Sequence, residues 1–235
     1  GGETMAVSIY QGNEHSLEKA DVNVVIDVFR AFTVAHFAFL QGVKEIILTG
    51  TVSDAFELKQ KNPEYLLAGE VKGLPIEGFD LDNSPLSLFN QDLTNKILIQ
   101  KTTNGVKAAL HSLDADWVFV TGFSNARETA EYIRRIIEGA GRDLQINIIA
   151  SHPTGDEDLA CAEYMAGIIE ARSLPSKKET IERILKSPIA EKFFDESNPA
   201  FDRRDLDYCT KELNSGFLMK VESDNGIPTI ERYRV

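Results

Sequence analysis

Short apolar runs alternate with amphipathic stretches along most of the chain. "DVNVVIDVF" (21–29) is rich in Val and Ile with little alternation, the pattern of a central strand. "RAFTVAHFAFLQG" (30–42) is apolar on most faces and closes on Gly42, which predicts a buried helix with a glycine stop. "VKEIILTG" predicts a second strand, "TVSDAFELKQKN" a helix ahead of Pro63, and "EYLLAGEV" a third strand. "KGLPIEGFDLDNSP" (72–85) reads as a loop, and Ser84-Pro85 has the N-cap and N1-proline form of a helix start. The pattern then repeats: strand "KILIQ" and a helix after the corner "KTTNG", strand "DWVFVTG", helix "NARETAEYIRRIIEGAG", strand "LQINIIA", loop "SHPTGDED" and helix "LACAEYMAGIIEA".

This alternation predicts an α/β fold, a three-layer α/β/α arrangement around a mixed, mostly parallel sheet. From residue 176 the chain changes to charged helical pieces, "KKETIERIL" and "RRDLDYCTKEL". It ends in two strand-like runs, "GFLMKVE" and "IPTIERYRV", around Ser223-Asp224-Asn225-Gly226, so a C-terminal hairpin is expected to close the sheet. With no internal repeat and no low-complexity linker, residues 1–235 read as one domain.

Composition narrows the function classes. A chain of 235 residues with 43% hydrophobic content can build a substantial core. No apolar run approaches the ~18 residues of a membrane span, and no signal-like segment is evident, so the cytoplasm is the default expectation. Cys161 and Cys209 follow no zinc or redox spacing and read as buried thiols. A formal charge of −12 argues against nucleic-acid binding. An acidic protein that binds a small anion has to concentrate a few cations locally, which makes the position of each Arg and Lys informative.

In open α/β sheets ligands bind beyond the carboxyl ends of the strands. Those ends carry Asp27 to Arg30, Glu70, Lys101 to Gly105, Gly122 to Arg127 and Ser151 to Asp158. Asp27 either pairs with Arg30 or caps a helix, or else it ligates a metal while Arg30 clamps an oxyanion. Glu70 either pairs with Lys72 at the surface or completes a hard-oxygen site of the kind Mg²⁺ takes. "KTTNG" is explained by turn and cap chemistry, or by an anion held on backbone N–H groups beside Lys101. Ser124 or Asn125 caps the following helix, and Arg127 in its first turn is locally unfavourable unless an anion is present. Asp156 suits the dipole of its helix, whereas Glu157 and Asp158 stay open to a site role. His36 reads as a core residue and His152 as a neighbour of the site. There is no Walker loop, no Cys-x5-Arg loop, no His-Glu-x-x-His and no nucleophile elbow around Ser124.

"VVIDVFRAFT", "GEVKGLPIEGFDLDNSP", "KTTNG", "TGFSNAR", "EDLACA" and the "DLDYC" region occur in this order across nearly the whole chain. The set resembles the 2-phosphosulfolactate phosphatase family. The resemblance implies a mixed sheet between helical layers and Mg²⁺-dependent conversion of 2-phospho-3-sulfolactate to sulfolactate, a step associated with coenzyme M synthesis. It implies Asp27, Arg30 and Lys101 as catalytic residues and Asp27, Glu70, Glu157 and Asp158 as metal ligands. Substrate binding would fall to Asn83, Ser84, Thr102, Thr103, Asn104, Gly105, Ser124, Asn125 and Arg127. The expected partner is a small anionic phosphate ester, with no nucleic acid and no membrane; a homodimer is compatible with the sequence but not read from it. Three positions depart from the family pattern: Asp82 and Glu163 stand where glycine is expected, and Phe29 replaces leucine. An acid beside Asn83 bears on acceptance of a multiply anionic substrate. Direct attack by water is the expected mechanism, with an aspartyl-phosphate on Asp27 as its competitor. A phosphatase for another phosphorylated hydroxy acid and a non-catalytic anion binder are the alternatives.

Overall fold

Ten strands form one continuous mixed sheet in the computed structural model, which describes residues 5–223 and 226–235. In chain order the strands are β1 (Met5–Gln11), β2 (Ala20–Ile26), β3 (Glu45–Leu48), β4 (Leu66–Val71), β5 (Leu74–Pro75), β6 (Ile97–Lys101), β7 (Ala115–Thr121), β8 (Leu144–Ala150), β9 (Phe217–Glu222) and β10 (Thr229–Arg234). The helices are α1 (Ala31–Leu40), α2 (Val52–Lys61), α3 (Gly105–Leu110), α4 (Ala126–Ala140), α5 (Asp156–Ile169), α6 (Lys177–Leu185) and α7 (Asp205–Cys209). The strand order is β1-β8-β2-β7-β9-β10-β3-β6-β4-β5. The mixed, mostly parallel α/β architecture and its C-terminal hairpin are thus as expected.

The hairpin lies inside the sheet rather than at its edge. β9 runs antiparallel to β7, and β10 antiparallel to β3. It therefore joins two parallel blocks, β1-β8-β2-β7 and β3-β6-β4, of opposite strand sense. Asp224 and Asn225, expected in its turn, lie outside the described residues.

Neighbouring strands twist by roughly 20–25°, and the twist accumulated between β2 and β4 turns their carboxyl ends toward one another. Helix α1 fills the hollow this leaves. Every residue from Ala31 to Phe39 is buried, packed against Val25, Ile46, Leu98, Met219 and Ile230 from both blocks. On the outer face α4 and α5 cover β2, β7 and β8 through Ile133, Ile137, Tyr164 and Met165. His36 is buried within α1, its ring between the hydroxyls of Ser124 and Ser215, and burial holds its pKa down to about 4. It is a core residue, as expected, and Cys161 and Cys209 are buried free thiols.

Three local differences from expectation have clear causes. β1 is a half-buried edge strand without a continuous apolar run, so its pattern is weak. The stretch 72–85 contains the two-residue strand β5, paired back onto β4. Ser84-Pro85 opens a 3₁₀ turn, Leu86–Asn90, not an α-helix: the Ser84 hydroxyl donates to Asp205 Oδ1 at 2.8 Å, so it does not serve as a cap. Among the described residues no helix is long and apolar enough to cross a membrane.

Candidate active site

Two chain reversals build one side of the site. β4 carries Glu70 next to its last residue, Val71, and the chain then turns through Lys72 and Gly73, both at positive φ. The buried Glu70 carboxylate accepts from Thr103 N (2.7 Å), Thr103 Oγ1 (2.8 Å) and Gly73 N (2.7 Å). It ties the turn after β4 to the corner after β6. Within that corner, Thr102 Oγ1 accepts from Val106 N at 3.1 Å, and Asn104 Oδ1 accepts from Asn13 Nδ2 at 2.6 Å. A Cβ on Gly105 would stand 2.5 Å from Asp27 Oδ2, so glycine lets that carboxylate reach the start of α3. The backbone N–H groups of Ala31 and Gly105 favour the ionised form of Asp27.

Three acids are buried beside this corner: Asp27 (6% exposed), Glu157 (1%) and Asp158 (1%). Asp158 is fully engaged, accepting from Val28 N (2.8 Å), His152 N (3.0 Å) and Ser151 Oγ (3.2 Å). Glu157 Oε2 has no partner. A Cβ at Gly155 would stand 2.4 Å from Glu157 Oε1, a second place where only glycine admits a carboxylate. Burial first, then repulsion from Glu70 and Glu157, pushes Asp27 up to about 8. Burial followed by Asp158 does the same to Glu157, and burial followed by Asp27 to Asp158, each to about 8.

Cations form the other side. Arg30 is 2% exposed and its Nη1 lies 3.0 Å from Asp205 Oδ2. Asp205 Oδ1 also accepts from Ser84 Oγ (2.8 Å) and Leu86 N (3.1 Å). The Arg30 guanidinium sits 4.5 Å from the centre of the Phe201 ring, and Lys192 Nζ 5.5 Å from the same centre. Lys72 and Lys192 are exposed, and neither has an ion-pair partner among the described residues. His152 Nδ1 accepts from Gly155 N (2.7 Å) and Thr154 N (3.1 Å), which leaves the ring proton on Nε2. Burial, then the nearby Lys192, lowers its pKa. Arg30, Glu70, Lys72, Asn83, Thr103, Asn104, His152, Lys192 and Phe201 line one cleft of about 190 Å³, and the buried Asn83 Oδ1 has no partner.

The acids are unequally free to hold a metal. Glu70 and Asp158 spend their oxygens on protein donors. Among the described residues no three carboxylate, imidazole or thiol groups converge as a metal cage. Mg²⁺ does not need one: it takes one or two carboxylates, keeps several waters and bridges to substrate phosphate. Asp27, raised by burial and then by neighbouring acids, and Glu157, with an unpartnered oxygen, fit that smaller demand.

A family profile described as 2-phosphosulpholactate phosphatase matches residues 8–223. The chain is 57% identical over 228 residues to a probable 2-phosphosulfolactate phosphatase of Bacillus subtilis, covering 97% of this chain and 99% of that protein. It is 30% identical over 233 residues to a probable 2-phosphosulfolactate phosphatase of Clostridium perfringens, covering 87% and 91%. A probable 2-phosphosulfolactate phosphatase of Caldicellulosiruptor saccharolyticus is 38% identical over 148 residues, covering 62% and 61%. The chain belongs to the 2-phosphosulpholactate phosphatase family.

By its name this is a family of phosphoric monoester hydrolases, and the three departures from its pattern have structural roles in this member. Asp82 Oδ1 accepts from Ser84 N (3.0 Å) and Ser87 Oγ (2.7 Å), so its charge is engaged in the 3₁₀ turn. Glu163 pairs with Arg183, which also holds both oxygens of Asp156 at 2.8 Å. Phe29 packs on Phe193 at the cleft wall, ring centres 5.2 Å apart.

The sites expected from the phosphatase motifs separate into two groups. Asp27, Arg30, Glu70, Asn83, Ser84, Thr102, Thr103, Asn104, Gly105, Glu157 and Asp158 gather at or beneath the cleft. Lys101, Ser124, Asn125 and Arg127 do not line it. Lys101 follows Gln100, whose amide donates to Ala31 O under α1, so strand alternation sends Lys101 to the other face. The Ser124 hydroxyl is bound to His36, and Asn125 Oδ1 accepts from Thr121 Oγ1 and Gly122 N. Arg127 is neutralised by Glu212 at 2.9 Å and Tyr164 at 2.6 Å, which answers its place at a positive helix end without a substrate anion. The sequence reading missed Lys192, Asp205 and Phe201, and saw Lys72 only as a partner of Glu70. Of these only Asp205 carried a signal, as the first residue of the "DLDYC" stretch in the family pattern.

Proposed function

We propose that this chain, acting as one domain, hydrolyses 2-phospho-3-sulfolactate to 3-sulfolactate and phosphate with Mg²⁺. The observation that carries the reading is a single cleft lined by Arg30, Lys72 and Lys192, the two lysines without an acid partner among the described residues, with Asp27 and Glu157, raised by burial and by neighbouring acids, buried behind its wall. The substrate carries phosphate, carboxylate and sulfonate, so it needs several separate cationic or N–H contacts. Arg30, pre-set by Asp205 and by its aromatic neighbours, offers a guanidinium fork to phosphoryl oxygens. Asp27 and Glu157 would hold Mg²⁺ together with phosphate oxygens and water. The ion, when bound, neutralises charge developing on the phosphoryl group. The unpartnered Glu157 Oε2 would be free to orient the attacking water once the acid is ionised.

Glu70 and Asp158 act from outside the reacting centre. Glu70 fixes the Thr103 corner, and Asp158 fixes the backbone at Val28 and His152. The same family resemblance supports a place in coenzyme M synthesis. Phosphate release from 2-phosphosulfolactate, set against a panel of other 2-phospho-acids, tests the substrate. Preference for a desulfo ester would keep the chemistry and discard the sulfonate. Labelled phosphate trapped on Asp27 would refute direct attack by water.

A further inference from the structure

The reaction proposed above does not say which part of the cleft recognises the group that distinguishes its substrate from simpler phospho-acids. We propose that Lys192 and the Nε2–H of His152 form the sulfonate subsite and set specificity for a sulfonated three-carbon acid. This inference rests on the proposed reaction for the identity of the ligand, and on the cleft for its placement.

Arg30 is the innermost cation, 2% exposed, compensated by Asp205 and close to the buried acids through the Asp27–Arg30 segment. It belongs with the phosphoryl group. Lys72 stands on the β4–β5 turn beside Thr103, whose hydroxyl accepts from Lys72 N at 2.9 Å. Lys192 comes from a separate element, the 3₁₀ turn Pro188–Phe194, and its charge acts on His152 in the same cleft. The two lysines thus serve different ends of a ligand.

The Lys192 side offers a second, neutral donor whose proton position is fixed by geometry. Backbone N–H groups of Thr154 and Gly155 occupy His152 Nδ1, so its proton is carried on Nε2. An ammonium with three donors beside an N–H donor suits a tetrahedral group with three equivalent oxygens and a permanent charge. Phe201 makes the arrangement possible: Lys192 and Arg30 both lie on its ring, which attracts both cations.

His152 also braces its own loop, so the decisive variants are at exposed Lys192. Binding of 3-sulfolactate and of lactate is measured by calorimetry for wild type, Lys192→Met and Lys192→Arg, with phosphate release from 2-phosphosulfolactate and 2-phospholactate followed in parallel. Loss of one charge-assisted contact predicts a roughly 10- to 100-fold weaker affinity of Lys192→Met for 3-sulfolactate, with lactate unchanged and Lys192→Arg intermediate. Unchanged 3-sulfolactate binding in Lys192→Met, or equal weakening of both ligands, overturns the subsite. If wild type releases no phosphate yet binds 3-sulfolactate through Lys192, the subsite stands and the reaction reading falls. If wild type hydrolyses the ester while Lys192→Met binds both ligands like wild type, the reaction stands and the subsite falls. No binding of 3-sulfolactate by wild type removes both.

Discussion

Glu70 and Thr103 are joined twice, by the Thr103 backbone N–H at 2.7 Å and by its hydroxyl at 2.8 Å. The corner "KTTNG" does engage acids, but those in the structure are the protein's own: Glu70 hydrogen-bonded to Thr103 and Asp27 packed against Gly105. Its donors are committed to aligning carboxylates contributed by β4 and by the end of β2.

Glu70→Gln therefore places an amide against three donors that want a carboxylate. The expected cost is about 1–3 kcal/mol of stability, with a fall in kcat as the Thr103 corner loosens. Urea denaturation and steady-state kinetics check it. A variant as stable and as active as wild type would contradict the tie.

Asp205→Ala strands the buried Arg30 charge, together with the Ser84 hydroxyl and Leu86 N–H. Breaking a buried pair from one side costs about 3–5 kcal/mol. Asp205→Asn keeps an acceptor for Ser84 and is expected to lose less. The order of the denaturation midpoints, wild type above Asn above Ala, is the readout.

Much of this was legible in the sequence, and what was not has physical causes. The central elements announced themselves because buried strands and the fully buried α1 need unbroken apolar runs. Glu70 and Asp27 were visible because acids next to such runs need a reason. β1 escaped because an edge strand needs no such run, and Asp205 because its partners, Arg30 and Ser84, lie 175 and 121 residues away in the chain. Arg127 was placed with the substrate because Glu212, the acid it pairs with, lies 85 residues away in the chain.

The raised carboxyls predict a pH signature. Asp27, Glu157 and Asp158 move from ordinary values of 3.8 or 4.5 up to about 8 on folding. The folded protein then keeps protons that the unfolded chain releases, so stability from these groups is fully present below about pH 4 and declines as pH rises toward 8. Mg²⁺ binds the ionised forms, so it should raise Tm more at pH 8 than at pH 6. Thermal melts with Mg²⁺ and with chelator check the sign; an equal rise at both pH values would contradict it.

Arg127→Ala is expected to leave KM for the phosphate ester near the wild-type value, because its guanidinium faces Glu212 and Tyr164 outside the cleft. Being partly exposed, it should cost at most about 1 kcal/mol of stability. A large rise in KM with kcat unchanged would bring Arg127 back to the substrate.

Phosphate release from 2-phosphosulfolactate, with Mg²⁺ and with chelator, for wild type beside Asp27→Asn, tests the central claim most directly. The account predicts release that needs the metal and falls by roughly 100-fold or more in the variant. Undiminished release in chelator, or from Asp27→Asn, would contradict it.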